Sequence, residues 1–470
     1  MTNEPTHSPR RLLLVLFLGV LMVALDIAIV GPALPAIQDT FGVSERAIAW
    51  VFSMFVLFNL VGLPLMAKLA DVFGRRLVYT IDILLFGVGS LVVALSPSFA
   101  VLLVGRAIQG MAASGIFPVA SAVIGDVFAP ERRGRALGVL GAVYGVAFII
   151  GPIIAGLLLK VGWTWLFIIN LPVAVVVALV GYGKLPALHR AQGRQLDWAG
   201  IATLGMLLAA LAYGINWLDT EAFVDSLTSL AVWPYLLLAA VLFPVFLYVE
   251  RRAPNPLLRL GLLSSRQVVL AGLLAAGAGL TEAAFIFFPK MAGVAFGVSR
   301  SAGAYMLLPL TFAVALGAPL AGRLLDRVGS RAIVLAGTAC LTLGMGILGL
   351  LPPQQIYFYV GTVLVGLGLA ALLGSALAYI LLSESRVEER TVAQGIITLF
   401  ISIGQTIGAP MIGAVVASEA GALMGYTQSF LIIAGVTLVL LLLSFGLKKR
   451  GSELETARAM ASQGQERSVS

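Results

Sequence analysis

The chain has 470 residues, of which 60% are hydrophobic and 11% charged, with a mean hydropathy of +1.03. A soluble domain carries roughly 45–50% apolar and about 25% charged residues, so a water-soluble fold is excluded and the apolar excess has to face lipid. The net charge of +8 reads as membrane topology rather than as a nucleic-acid footprint, because the basic residues are segregated along the chain.

Apolar stretches bounded by charges or turn residues fall at 11–36, 47–68, 77–95, 99–125, 134–159, 163–183, 197–217, 228–250, 267–290, 300–322, 331–351, 355–383, 391–417 and 427–447. Each is long enough for a spanning helix, which needs about 20 residues, so the expectation is an all-α polytopic protein with fourteen crossings. The first run follows Arg10 and Arg11 in the manner of a signal peptide, yet it continues past Asp26 to Pro35 without a small-residue cleavage site. It reads as a retained helix. Twenty-five of the 30 lysines and arginines fall on one side of this topology. Arg46, Lys160, Lys290 and Arg300 fall on the other, and Arg106 lies inside a span. Cytoplasmic loops carry the basic excess, which predicts a multi-pass protein of the cell (inner) membrane with both termini in the cytoplasm.

The two halves repeat. FGVS occurs at Phe41–Ser44 and at Phe296–Ser299, and Leu69–Arg76 (LADVFGRR) has a counterpart in Leu324–Arg331 (LLDRVGSR), both at an offset of 255. Val104–Gly110 matches Val360–Gly366 at 256, and Glu131, Arg132 and Pro152 match Glu389, Arg390 and Pro410 at 258. Such a parallel repeat predicts two bundles related by an axis along the membrane normal, able to rock about a central site. The expected organisation is a cytoplasmic N-terminus (1–10), a six-helix bundle (11–183), linkers with two inserted helices at 197–217 and 228–250 (184–266), a second six-helix bundle (267–447) and a cytoplasmic tail (448–470).

With these motifs the chain resembles the major facilitator superfamily, in particular its fourteen-span drug:proton antiporter branch of bacterial multidrug efflux type. Ala67–Arg76 is similar to the family signature between helices 2 and 3, and the second copy keeps its first glycine as Gly322. Arg106, Gln109 and Gly110 resemble the helix-4 motif, Leu25–Ile37 resembles the first-helix motif, and Gly145, Gly151, Pro152 and Gly156 resemble the helix-5 export motif. The polar threonine and asparagine of the first-helix motif are Ala28 and Gly31 here. The resemblance implies a proton-coupling role for Arg106. It also implies a conformational latch at Asp71, Gly74, Arg75, Arg76 and Asp126, echoed by Asp326, Arg327 and Arg331.

The residues themselves point the same way. A guanidinium within a span costs about 2.5–3.5 kcal/mol on insertion scales, and the repeat partner of Arg106 is Thr362, so the bundle itself does not demand the charge. Asp26 and Glu282 occupy nearly equivalent places in the two copies, 256 apart. Lost hydration favours a protonated acid and a neighbouring cation favours its carboxylate, so either acid can exchange a proton for a cationic substrate, with Arg106 as charge partner. Asp82, one or two turns from the cytosol, is expected to bind the Arg75/Arg76 cluster. Phe55, Phe58, Gln109, Tyr144, Phe148, Phe285 and Phe288 are candidate cavity residues, through stacking and cation–π attraction. Pro152 permits a kink in helix 5.

One cysteine, Cys340, and two histidines, His7 and His189, offer no disulfide, thiolate metal cluster or histidine relay. No P-loop is present. The expectation is therefore no enzyme, no cofactor, no metal and no nucleic acid. The expected protein is a secondary active exporter of hydrophobic or cationic compounds in exchange for protons, with a monomer sufficient. Its expected partners are protons, a small substrate and the bilayer. The alternative is an exporter of lipids or other amphiphiles on the same fold.

Overall fold

A computed structural model describes residues 9–127, 130–185, 197–254, 256, 261, 264–384, 390–453 and 455–456, and among them regular structure is helical throughout. The long helices are α1 (Pro9–Phe41), α2 (Trp50–Phe73), α3 (Arg75–Ala94), α4 (Phe99–Val127), α5 (Pro130–Leu158), α6 (Asn170–Lys184), α7 (Trp198–Asn216) and α8 (Trp233–Arg252). They continue with α9 (Arg266–Ala283), α10 (Leu308–Val328), α11 (Ser330–Leu350), α12 (Gln355–Ala371), α13 (Arg390–Ser418) and α14 (Ala422–Ser444). Shorter helices at Glu45–Ile48, Phe288–Phe296 and Arg300–Tyr305 lie at the turns.

Twelve helices are long and apolar enough to cross a membrane among the described residues. The two expected spans that fall short are those at 134–159 and 355–383, which contribute shorter apolar helices, Gly145–Leu158 and Gln355–Ala371. The stretch 355–383 is divided by a π-helical turn at Leu372–Ala376 between α12 and Leu377–Ser383, whereas α5 itself runs from Pro130 to Leu158 and its side chains are described without interruption only from Gly145 on.

The duplication read from the sequence reappears in the packing. In the first half α2 packs on α4, α3 on α4 and α6, and α1 on α5; in the second α10 packs on α12, α11 on α12 and α14, and α9 on α13. Local geometry repeats as well. Gly42 and Gly297 both end helices in the left-handed region (φ 60° and 63°), where a side chain is strained. Ser44 and Ser299 then cap the next short helices by accepting from the backbone N–H groups of Ala47 and Ala302. The halves meet where α2 lies against α13, and where α5 lies against α10 and the Arg300–Tyr305 helix. The inserted pair α7 and α8 pack on each other, with α7 also touching α2 and α13. Only 17% of the best α8 window is buried, against 72% for α9, so α8 is peripheral and α9 is central.

Close helix approach depends on glycine. A Cβ on Gly404 of α13 would run into the Ala276 carbonyl of α9, whereas one on Gly346 would meet nothing within 4 Å. Overpacking costs about 1–3 kcal/mol, and alanine is a better helix former than glycine by about 1 kcal/mol. Gly404→Ala is therefore expected to lower the melting temperature of the purified protein and Gly346→Ala to leave it unchanged or raise it. Equal melting curves would refute this account of the α9/α13 contact.

Candidate functional site

The centre of the first half is a buried polar cluster drawn from five helices. Arg106 and Gln109 are three residues apart on α4 and so share a face. That face meets Asp26 of α1 and Ser90 of α3, and Asn170 at the start of α6 bonds to both of these. Arg106 Nη1 donates to Asp26 Oδ2 at 2.6 Å and to Gln109 Oε1 at 2.8 Å, and its Nε donates to the Val51 carbonyl of α2 at 2.9 Å. Gln109 Nε2 donates to Asp26 Oδ1 at 3.0 Å and to Ser90 Oγ at 2.9 Å. Asn170 Nδ2 reaches the same two acceptors at 3.4 and 3.2 Å. Asp26 and Arg106 are both 0% exposed.

The guanidinium is covered by the rings of Phe55, 4.6 Å from its carbon, and Phe167, at 6.0 Å. Its Nη2 has no hydrogen-bond partner among the described residues, so the cation–π contact stands where an acceptor would otherwise be needed. A buried ion pair is stable only when its remaining donors and acceptors are satisfied. Here the amides of Gln109 and Asn170 do this for the carboxylate. The Asp26 carboxylate thus ties α1 to Arg106 and Gln109 of α4 and to Asn170 of α6, and Ser90 of α3 joins the network through the same two amides.

Glu282 sits differently. It is half-buried on α9, its Oε2 accepts from Gln405 Nε2 of α13 at 2.9 Å, and it lines a cleft between the halves. About 480 Å3 lies inside that cleft, counted to its mouth. The walls come from Ile27, Ala28, Gly31, Pro32, Phe52, Phe148 and Pro152 on one side and Phe285, Ile286, Leu307, Leu310 and Thr311 on the other. Glu282 is the only ionisable residue among them. Arg106 therefore partners Asp26 and not Glu282. The two acids, equivalent in the repeat, diverge because the buried hydroxyl of Thr362, which stands where Arg106 does, bonds only within its own helix.

Of the expected cavity residues, Phe148 and Phe285 line the cleft. Phe55 and Gln109 belong to the Asp26–Arg106 cluster instead. Phe288 is buried among Phe285, Phe358 and Phe430, Phe58 is half-buried on α2, and the side chain of Tyr144 lies outside what the structure describes. Pro152 is a cleft residue, and α5 makes close approaches. A Cβ on Gly151 would lie 2.5 Å from that of Ala28, one on Gly156 would enter the Tyr305 ring, and one on Gly145 would be 4.0 Å from that of Ala315. Tyr305 and Ala315 belong to the other half, so α5 is a contact helix between the halves.

At the loop between α2 and α3, Gly74 has φ 93°, and its counterpart Gly329 has φ 84°. Arg76 lies over the Tyr182 ring at 4.1 Å and not against Asp82, neither of whose carboxylate oxygens has a hydrogen-bond partner among the described residues. That corrects the expected Asp82 pairing. Arg327 is exposed and Arg331 half-buried. The side chains of Asp71, Asp126 and Asp326 lie outside the described residues.

Sequence reasoning missed a set of bonds at the lysine- and arginine-poor end of the helices. Lys290 Nζ donates to Glu45 Oε2 at 2.5 Å, and Arg300 pairs with Asp39. Arg46 Nη1 donates to the carbonyls of Asn216 and Leu218 at 2.8 and 2.9 Å, and its Nη2 to Ser418 Oγ at 3.2 Å. Asn216, the last residue of α7, accepts from Trp50 Nε1 at 3.1 Å and donates to the Pro410 carbonyl at 3.3 Å. These bonds join the two halves and the inserted helices. A signal was available: Arg46, Lys290 and Arg300 are three of the four basic residues on the side that the basic excess avoids.

The chain matches the sequence profile of the Major Facilitator Superfamily over residues 16–315 and again over 269–464. It is 34% identical over 400 residues to an uncharacterized MFS-type transporter, YfiU of Bacillus subtilis, covering 83% of this chain and 76% of that one. It is 31% identical over 423 residues to the multidrug resistance protein Stp of Mycobacterium tuberculosis, covering 85% and 74%. A bacterial homolog of the human lysosomal transporter Spinster, solved in an inward-facing and unoccupied conformation, superposes with a TM-score of 0.64 at 16% identity, covering 97% of this chain and 99% of that chain. The matched fold, and a profile match spanning both copies of the repeat, identify the chain as a multi-pass membrane transporter of the Major Facilitator Superfamily.

Proposed function

We propose that this chain exports hydrophobic or cationic compounds in exchange for protons, by alternating access between two six-helix bundles at residues 11–183 and 267–447. In this reading α5 and α12 also cross the bilayer, giving fourteen spans with the inserted pair between the bundles. Both termini then face the cytoplasm of a cell (inner) membrane, following the basic excess. The observation that carries the proposal is the buried Asp26–Arg106 pair directly behind a cleft in which Glu282 is the only acid among the described residues. Ile27 and Ala28 follow Asp26 on α1 and line that cleft, so a proton taken up by Asp26 is coupled to the cleft wall. A lipophilic cation in the cleft would be held by Glu282 and by the rings of Phe52, Phe148 and Phe285. The Gly74 and Gly329 loops with their arginines act as the latch of the opposite arrangement.

The relatives' names support the drug reading, since Stp is called a multidrug resistance protein. The mostly apolar cleft lining also suits a lipid or other amphiphile, which is the second reading. The test is a proteoliposome assay with an imposed pH gradient and ethidium as the probe. The intact protein is expected to move ethidium, Asp26→Asn to lose gradient-driven movement at least tenfold, and Glu282→Gln to weaken ethidium transport. Full gradient-driven transport with amides at both positions would refute the proton-coupling roles. An inert intact protein would turn the assay to labelled phospholipids.

A further inference from the structure

We propose that Asp82 is a proton-binding site separate from the Asp26–Arg106 pair, holding its proton in the arrangement described here and giving it up toward the lysine- and arginine-rich end. Asp82 lies on α3 and is 0% exposed. Among the described residues, neither of its carboxylate oxygens has a hydrogen-bond partner. An ionised carboxylate without water, donor or cation is one of the costliest groups to bury, and in practice such a group neutralises. The protonated acid is the form that fits.

The surroundings are shaped for that group. Its carboxyl rests in a notch on α4 made by Gly115: a Cβ at Gly115 would collide with Asp82 Oδ2 and lie 2.9 Å from the Cβ of Met66 on α2. Along α3 the residues Tyr79, Asp82, Phe86 and Ser90 are all buried. Ser90 is the acceptor shared by Gln109 and Asn170 of the Asp26 cluster. At 1.5 Å per residue, Asp82 stands roughly 12 Å from Ser90 and roughly 10 Å from Arg75, between the cluster and the basic end of the helix. It is therefore placed as an intermediate station for a proton leaving Asp26.

The described titratable and charged groups on α3 and the helices against it are Arg75, Arg76 and Tyr79 on α3, Asp26 on α1, Arg106 on α4 and Tyr182 on α6. Of these, Arg76 is stacked on Tyr182, Arg106 is bonded to Asp26, and Tyr79 reaches the α1 carbonyls of Val15 and Leu16. The side chains of Lys68, Asp71, Asp126 and Lys184 on α2, α4 and α6 lie outside the described residues.

The inference deepens the proton-exchange reading and rests on it only for the destination of the proton, so the test reads the carboxyl directly. Infrared difference spectra of the purified full-length protein, recorded in light and heavy water across pH, are expected to contain the carbonyl stretch of a protonated carboxylic acid that fades as pH rises. The band should be absent from Asp82→Asn, present in Glu282→Gln, and shifted in frequency in Gly115→Ala, whose added methyl group enters the carboxyl's notch. Spectra of Asp82→Asn matching those of the intact protein at every pH would overturn the proposal, as would a band that never fades. If Asp82→Asn does not fold, an unshifted band in Gly115→Ala would overturn it instead. Ethidium transport separates the two ideas: transport without the band leaves proton exchange standing and removes Asp82, and the band without transport does the reverse.

Discussion

Arg106→Ala is expected to abolish gradient-driven transport and to destabilise the protein by about 3–5 kcal/mol, the usual cost of stripping one partner from a buried ion pair. The loss leaves the Asp26 carboxyl fully enclosed without its cation, and it also removes the donors to Gln109 and to the Val51 carbonyl. Arg106→Lys should recover little, because one ammonium cannot span acceptors on α1, α2 and α4 in the planar fork that the guanidinium supplies. The informative variant is the double mutant Asp26→Asn with Arg106→Gln. With no charge left in the cluster, it is expected to regain most of the lost thermal stability while remaining unable to couple transport to the pH gradient. Thermal melts paired with ethidium flux in proteoliposomes check both halves of this statement. A double mutant that transports at the intact rate would show that the pair is structural only.

Lys290→Ala is expected to loosen the lysine- and arginine-poor end of the cleft far more than Arg300→Ala. The Lys290 and Glu45 side chains are 8% and 21% exposed, those of Arg300 and Asp39 50% and 64%. Truncating one member of a buried charge pair costs about 2–5 kcal/mol, whereas an exposed pair contributes about 0–1 kcal/mol. Each 1.4 kcal/mol is about tenfold in a population ratio. With Cys340 replaced by serine and a reporter cysteine at Phe52, labelling by a membrane-impermeant maleimide from that end should therefore rise by about tenfold or more in Lys290→Ala. In Arg300→Ala the rise should stay below about fivefold. Equal labelling in both variants and the parent would mean that Lys290 and Glu45 do not hold this end closed.

These bonds also suggest a use for the inserted helices. Asn216 ends α7, and it is bonded to Arg46 and Trp50 of the first half and to Pro410 of the second. The pair α7 and α8 is thus tied into the seam at one end, while most of α8 faces outward.

What was legible in the sequence, and what was not, divides along a physical line. Membrane class followed from composition, because hydropathy measures each segment against lipid and needs no neighbour. The duplication was legible as well. Offsets of 255–258 between matching motifs foretold that α1 to α6 and α9 to α14 would pack in the same pattern, which they do. Asp26, Arg106 and Glu282 stood out because charge at depth is costly wherever it lies. The span count was harder: of two stretches that look like crossings in a hydropathy reading, 355–383 is divided by a π-helical turn, and 134–159 supplies the shorter apolar helix Gly145–Leu158 among the described residues.

Partnership was the part that sequence could not supply. Asp26 and Arg106 are 80 residues apart, and nothing in one dimension says that Arg106 turns toward Asp26 rather than Glu282. That choice depends on the rotation of α1, α4 and α9 about their axes, which is set by how their small residues interlock. Packing likewise puts Phe55 on the guanidinium instead of in the cleft and leaves Asp82 against Gly115 without Arg76, and it brings Lys290 and Glu45, on two short helices of opposite halves, together. The sequence by itself determined that the chain lives in a membrane, that it is built twice over and which charges are out of place. The tertiary structure decided which of those charges meet, because a side chain's partner is a property of helix packing and not of the order of residues along the chain.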